Sequence, residues 1–357
     1  MKILDRYIIK KFLGTFFFTT ALFLAIAVVF DVAEKIDDFL EKGAPLKGIV
    51  VDYYLNFIIY YGNLFSSLMI FIAVIYFTSK LANNTEFIAM FSGAISLNRI
   101  LWPYFIAASI LAVSSFYLTN YLIPNTADDR LAFEAEYLKS YRTDRYKNIH
   151  LQLKPDRFLY LETFNAKRQV GYQFALEQFD GLELKYRIES NYLRYKADST
   201  WTLQSYSIRR FNGEQESLEL GASLDTTFSF QPDELYQNIY NLETMDRNEL
   251  SAFIEKEKER GAENVQFFEI TQHQRVAFPF ATYILSLIAL SIASRKVRGG
   301  IGVNIALGLV IGVSYILFMK VSTTFATNGN LSPAIAVWIP NMAFTVLGIY
   351  LYRNAQK

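Results

Sequence analysis

The chain contains no cysteine. Disulfides and thiolate metal sites are therefore excluded, and any domain lying outside a reducing compartment must be held by its own core. Histidine is scarce as well: His150 and His273 stand far apart, and no His-Glu-x-x-His pair is present. No glycine-rich loop ends in Lys-Ser or Lys-Thr, so the chain does not itself hydrolyse a nucleotide. A Ser–His dyad on either histidine stays open, but no Gly-x-Ser-x-Gly elbow supports one. The formal net charge of +1 hides no basic stripe, which argues against a nucleic-acid partner. Carboxylates are plentiful, yet none lies inside an apolar stretch where acid–base chemistry within a membrane would need it. No cofactor is called for.

What is abundant is long apolar sequence. Three stretches open the chain, Phe12–Phe30, Tyr53–Ser79 and Ile100–Ile123, and three close it, Val276–Ala293, Ile301–Met319 and Pro333–Tyr352. Each is close to the roughly twenty residues that carry a helix across the hydrocarbon core of a bilayer. Between the two sets lies a polar block of about 150 residues, long enough to fold around a core of its own. The expected fold is an α-helical membrane protein with six transmembrane helices, three plus three, and an inserted all-β domain. Its expected division is residues 1–123 and 271–357 for the two helical halves and 124–270 for the insertion.

Orientation follows from the Lys and Arg beside the spans. Lys2, Arg6, Lys10 and Lys11, then Lys80 and Arg99, then Arg295, Lys296 and Arg298, and finally Arg353 and Lys357 fall on one side when six spans alternate. On the other side Asp31, Glu34, Asp37, Asp38 and Glu41 outweigh Lys35, Lys42 and Lys47, and 327–332 is uncharged. Both termini are expected inside and the large domain outside. The first span is too long for a signal-peptide core and is followed by charges, not by a small-residue cleavage site, so it is expected to stay as an anchor.

Within the insertion, apolar residues alternate. Leu182, Leu184, Tyr186 and Ile188 interleave with Glu183, Lys185, Arg187 and Glu189, and Tyr172, Phe174 and Leu176 with Gln173 and Glu177. Further strand runs are Ile149–Leu153, Arg157–Thr163, Tyr192–Tyr195, Trp201–Arg210, Ser217–Leu220 and Asp225–Phe230, with turns at Lys154-Pro155-Asp156, Asp180-Gly181, Asp198-Ser199 and Asn212-Gly213. Many short strands without intervening helices indicate a sandwich, jelly roll or barrel. Its inward aromatic residues either fill a core or line an apolar groove for acyl chains, and periodicity does not separate the two. Asp246-Arg-Asn-Glu249 has the form of a capping box, opening a helix over about 247–260 that Gly261 stops.

The connection between the second and third spans is the richest short segment. Asn83, Asn84 or Thr85 can cap a short helix over about 83–93, ended by Gly93, with Phe87, Met90 and Phe91 on one face and Glu86 in its first turn. Glu86 either complements the helix dipole while the aromatic face rests on lipid headgroups, or anchors a helix that inserts into a partner's groove. Lys320 and Asp31 stand near span ends, where they can snorkel to the interface. Facing a lateral opening instead, Lys320 with Lys35, Lys42 and Lys47 would meet the phosphates of an anionic lipid.

Five segments in order carry a resemblance. They are Leu4-Asp-Arg-Tyr-Ile-Ile-Lys-Lys-Phe12; Thr85-Glu86-Phe-Ile-Ala-Met-Phe-Ser-Gly93 with Ser96, Arg99 and Pro103; and Asn248-Glu249-Leu250 with Ile254 and Gly261. Arg275 with Pro279, and Leu331-Ser-Pro333 with Trp338-Ile-Pro-Asn341, complete the set. Around a three-plus-three layout they resemble the LptF/LptG permeases of the bacterial lipopolysaccharide exporter. The resemblance implies a non-catalytic half-transporter of the bacterial inner membrane with a periplasmic, jelly-roll-like domain. It would extract lipopolysaccharide from the outer leaflet and pass it to a periplasmic bridge protein. Its partners would be a second LptF/LptG-type permease, a cytoplasmic ABC ATPase dimer and a single-span protein that continues the jelly-roll path. Glu86 would be the coupling carboxylate, with Phe87, Met90 and Phe91 beside it in the ATPase groove; Phe87 stands where the family has leucine. The resemblance transfers no lipid-contacting residue; if the β interior is a groove, its inward residues Phe174 and Tyr186 would face the lipid. Two other classes compete. One is a membrane-anchored ligand-binding or signalling module without transport; the other is a lipid-modifying membrane enzyme, disfavoured by the missing nucleophile and metal constellations.

Overall fold

The computed structural model describes residues 2–138, 145–197, 199–213, 215–235, 241–259, 265–296, 300–328 and 331–355. Asp198, Arg260, Gly261, Arg298 and Lys357, named above, lie outside them. The chain divides into two compact units, one made of Met1–Lys139, Glu243–Arg247 and Gln266–Lys357, the other of Ser140–Leu242 and Asn248–Val265.

The first unit is helical. In chain order its helices are α1 (Ile3–Glu41), α2 (Asn56–Leu64), α3 (Ser66–Asn83), α4 (Glu86–Ser92), α5 (Leu97–Tyr117) and α6 (Ile123–Tyr137). After the insertion, with its short α7 (Asn241–Thr244) and α8 (Arg247–Glu259), come α9 (Val265–Ala293), α10 (Gly300–Asn328) and α11 (Pro333–Ala355). Six helices are long and apolar enough to cross a membrane: α1, α3, the continuous Leu97–Tyr137 rod, α9, α10 and α11. The protein is thus a helical membrane protein with three spans on each side of an inserted β domain.

Three spans differ in detail from the apolar stretches. Helix α1 continues through the charged run to Glu41, because no glycine or proline intervenes and Lys35 pairs with Asp31 one turn earlier at 2.6 Å. The second apolar stretch is divided: a π-helical Gly48–Leu55 leads into α2, and Phe65 breaks the chain before α3. Gly62 and Asn63, poor helix formers, precede that break. The Asn63 amide turns aside, donating to Thr119 Oγ1 at 2.7 Å and accepting from Ser115 Oγ at 2.8 Å. The third stretch does not stop at Ile123. A π-helical turn, Leu118–Leu122, absorbs the missing N–H of Pro124 and the rod runs on through α6.

The helical core gathers Ile8 and Phe12 of α1, Phe71 and Ile75 of α3, Tyr104 of α5 and Leu285 of α9. Between α3 and α10 the contact is close because Gly308 and Gly312 present bare backbone. A Cβ on Gly308 collides with Ile75 Cδ1, and one on Gly312 lies 2.9 Å from Leu68 Cδ1. Below them Asn304 donates to Ser79 at 2.8 Å inside the core. Gly308→Leu is therefore expected to cost about 1–3 kcal/mol by overpacking and to lower the melting temperature in detergent. Gly302→Ala, where a Cβ meets nothing within 4 Å, is the matched control.

The second unit contains a six-stranded antiparallel sheet whose strands pair in sequence order: β1 (Arg145–Lys154), β2 (Arg157–Asn165), β3 (Val170–Asp180), β4 (Glu183–Ala197), β5 (Thr200–Asn212) and β6 (Gln215–Thr227). Eight runs of alternation thus become six strands, with 182–188 and 192–195 joined in β4 and 217–220 and 225–227 joined in β6. The cause is a crease. A row of skipped positions crosses all six strands: Asn148, Glu162, Gln173, Asn191, Ser205 and Ala222. On alternate strands the skipped residue is left-handed, with φ of 53° at Asn148, 51° at Gln173 and 53° at Ser205. The inward parity changes across this row. Leu159 and Leu161 are followed by Phe164, Ile188 and Ser190 by Leu193, and Trp201 and Leu203 by Ile208, all buried. Side chains on both sides of the crease consequently reach one core. Leu182, the first member of the expected inward series, is instead fully exposed in the turn before β4. Helix α8 begins after Asp246, the expected N-cap, and buries Leu250 and Ile254.

Candidate functional site

Helix α4 is only two turns long. Thr85, held left-handed at φ 62°, turns the chain out of α3, and Glu86 is the first helical residue. Phe87, Met90 and Phe91, expected on one face, are unequally exposed, although the Phe87 and Phe91 ring centroids lie 6.0 Å apart. Phe87 is 2% exposed and belongs to the helical core, and Met90 is partly buried against that core. Phe91 faces outward at 44% exposure, together with Ile88 at 55%. The free apolar face of the helix is therefore Ile88 and Phe91. Ile88 escaped the sequence reading because spacing alone does not say which side of so short a helix meets its own bundle.

Glu86 is not isolated. Its Oε2 accepts the Tyr7 hydroxyl at 2.9 Å. Arg99, which opens the next span, forks onto Asp5, Nη1 to Oδ1 at 2.7 Å and Nη2 to Oδ2 at 2.8 Å. Asp5 is 3% exposed and also accepts the Lys2 backbone N–H at 2.9 Å. The first turns of α1 thus hold both ends of the connection that carries α4.

The lysines at the opposite ends of the spans are engaged to different degrees. Lys35 donates to Asp31 and to Tyr53 Oη, its Nζ lying 4.9 Å from the Tyr53 ring centroid. Asp31 also accepts from Tyr53 at 3.0 Å and Tyr54 at 3.2 Å, so its charge is balanced locally. Lys42 donates to the carbonyls of Leu138 at 2.7 Å and Glu136 at 3.3 Å, satisfying acceptors at the C-terminal end of α6. Lys320, on α10, is exposed.

A further cluster was not singled out in the sequence. Arg130 of α6, 6% exposed, pairs with Glu134 at 2.9 Å and with Glu243 at 2.7 Å. Tyr60 donates to the same Glu243 at 2.9 Å, and the Arg130 guanidinium lies 4.7 Å from its ring. Arg275 of α9 donates to the Met245 carbonyl at 2.8 Å. Together these hold the segment Glu243–Met245, which spans the end of α7, against α2, α6 and α9. Only the Arg130–Glu134 spacing was visible beforehand.

In the β unit Phe174 is 1% exposed and meets Phe228 at 5.4 Å between centroids. Trp201 is fully buried between Tyr195 and Phe230, and its Nε1–H donates to the Phe230 carbonyl at 3.4 Å. Phe228 and Phe230, expected on a strand, come after β6 ends and fold inward, so the interior is filled by the chain's own rings. Tyr186 stands half-buried at the edge of this core with the Arg210 guanidinium 5.9 Å from its ring; burial pushes its phenol pKa up. Among the described residues no group of three or more His, Asp or Glu is close enough to hold a metal ion.

A family model described as lipopolysaccharide export system permease LptF/LptG matches residues 6–354. Among curated proteins the chain has no match. The family match takes in all three leading spans, the creased sheet and the three closing spans, including the Glu86 helix. On that footing the chain belongs to the LptF/LptG family of lipopolysaccharide export permeases, multi-pass proteins of the inner membrane.

Proposed function

We propose that this chain is one permease half of an ATP-driven exporter that lifts lipopolysaccharide from the outer leaflet of the inner membrane. Residues 1–123 and 271–357 form the transmembrane halves, and 124–270 form a periplasmic relay domain. Both termini face the cytoplasm, in keeping with the Lys and Arg bias of the short connections. A second LptF/LptG-type permease completes the pathway, a cytoplasmic ABC ATPase dimer supplies the energy, and a single-span jelly-roll partner with a periplasmic bridge protein receives the lipid. The observation that carries this reading is the family match over residues 6–354, joined to an exposed Ile88–Phe91 face on a helix led by a carboxylate. Such a face suits a groove on a soluble subunit, with Glu86 meeting a cation at its edge. Phe91 and Ile88 are the docking side chains in this reading, and Phe87 and Met90 support them from within. Lys320 is the cation offered to lipid phosphate, backed by Lys35 and Lys42. Phe174 and Tyr186 flank the route of the acyl chains once the β interior opens.

Purification of the chain in mild detergent from its own membrane is expected to bring an ATP-binding subunit with it. Proteoliposomes made from that complex should release lipopolysaccharide only with hydrolysable ATP. A chain that purifies free of any ATPase and gives no ATP-dependent release would leave the binding or signalling reading in its place.

A further inference from the structure

Two hydrogen bonds and an ion pair on one small region have no role in the function as proposed so far: Tyr7 Oη–H to Glu86, and the Arg99–Asp5 pair with its one hydrogen bond, Nη2 to Oδ2. Their partners lie 79 and 94 residues apart in sequence, so local helix geometry does not produce them. We infer that Tyr7 is a positioning residue for coupling, holding Glu86 so that α1 and the α4 connection move as one body.

The inference rests on the reading of α4 as the ATPase-docking helix. Tyr7 occupies Glu86 Oε2, and Oε1 has no hydrogen-bond partner among the described residues. The carboxylate is therefore divided, one oxygen held by the chain and the other left for a cation of the partner. A phenol donating to a carboxylate makes a charge-assisted bond, stronger than a neutral one. It fixes the orientation of a side chain that is otherwise free to rotate. The Asp5–Arg99 fork performs the same service at the far end of the connection, from the buried side of the same helical turns. A displacement of α4 is thereby delivered to α1 at both ends of the connection. Further along, α1 exposes Phe17, Phe18, Val29 and Phe30, so a neighbouring subunit or lipid meets whatever movement reaches it.

The absence of native cysteine makes the test direct. Spin labels at Asn84→Cys, in the connection, and Phe30→Cys, on exposed α1, stand about 35 Å apart at 1.5 Å rise per residue. In the full exporter with Tyr7 intact, their distance distribution is expected to be unchanged by a non-hydrolysable ATP analogue. With Tyr7→Phe, which keeps the ring, the same analogue is expected to shift or broaden it. Lipopolysaccharide released per ATP hydrolysed should fall about tenfold, the scale of a lost bond to a charged group. Adding Glu86→Gln to Tyr7→Phe should cause a further loss, because it also removes the charge left for the partner's cation. Asp5→Asn provides an independent variant if Tyr7→Phe fails to fold. Both variants holding the distance and the transport ratio at wild-type values would overturn the inference while ATPase docking on α4 stood. Absence of the ATPase from wild-type preparations would remove the docking reading itself.

Discussion

Glu86→Lys is expected to abolish ATP-driven export while leaving the folded protein nearly as stable as the parent. Glu86 is half-exposed at the start of a two-turn helix and bonds Tyr7, so folding makes little use of its charge. Melting should shift by no more than about 4 °C, the effect of about a kilocalorie on a chain of this size. Docking is another matter. Reversing a charge that meets a cation across an interface costs about 2–5 kcal/mol, or some thirty-fold to several-thousand-fold in affinity. The measurements are ATPase retention, lipid-stimulated hydrolysis and export in proteoliposomes, beside a thermal melt of the same preparation. Full export by the Lys variant would sink the coupling role. Two neighbours sharpen the comparison. Phe91→Ala should weaken ATPase retention with little change in melting, because the ring is exposed. Phe87→Ala should do the opposite, losing about 3–5 kcal/mol of stability because its ring fills the bundle.

Those opposite expectations for Phe87 and Phe91 mark where reading from sequence ran out. The lengths and apolarity of the spans are set by the bilayer, so the three-plus-three layout and the inserted β domain were legible from composition. Which face of α4 turns inward depends on α1 and α3 across the bundle, and three- and four-residue spacing is satisfied equally by either face. The two-residue period of the strands was legible too, but not the switch of inward parity at Glu162, Asn191 and Ser205. A crease arises from six strands acting together, with left-handed residues at Asn148, Gln173 and Ser205, none of them glycine. Nothing local signals it, which is why Tyr172 came out 41% exposed although it has the same parity as buried Phe174. The Arg130–Glu243 pair was invisible for a similar reason, since 113 residues separate its members.

The crease also decides where the β unit is most vulnerable, and Trp201→Ala is expected to show it. Trp201 is fully buried, its ring 4.9 Å from Phe230, 5.0 Å from Tyr195 and 6.4 Å from Phe164. It is also the residue that ties the segment after β6 to the sheet, through the bond to the Phe230 carbonyl. Removing the indole leaves a cavity between strands on one side of the crease and frees that segment, a loss of about 3–5 kcal/mol. The chain has no cysteine, so no disulfide shares the load. Hydrogen exchange on the full-length protein should record the loss as protection falling by roughly a hundred- to several-thousand-fold in β4 and β5. Amides of α3 and α9, in the other compact unit, should keep theirs. Tyr172→Ala, on the exposed side of the same sheet, should change protection little. Because Phe228 and Phe230 occupy the interior that acyl chains would use, freeing them should also raise lipid crosslinking from a photoreactive residue at Phe174. Lost protection without new adducts would mean that the core loosens but admits no lipid, and would move the acyl route to the sheet margin at Tyr186. Unchanged protection would mean that the aromatic stack does not hold the crease together.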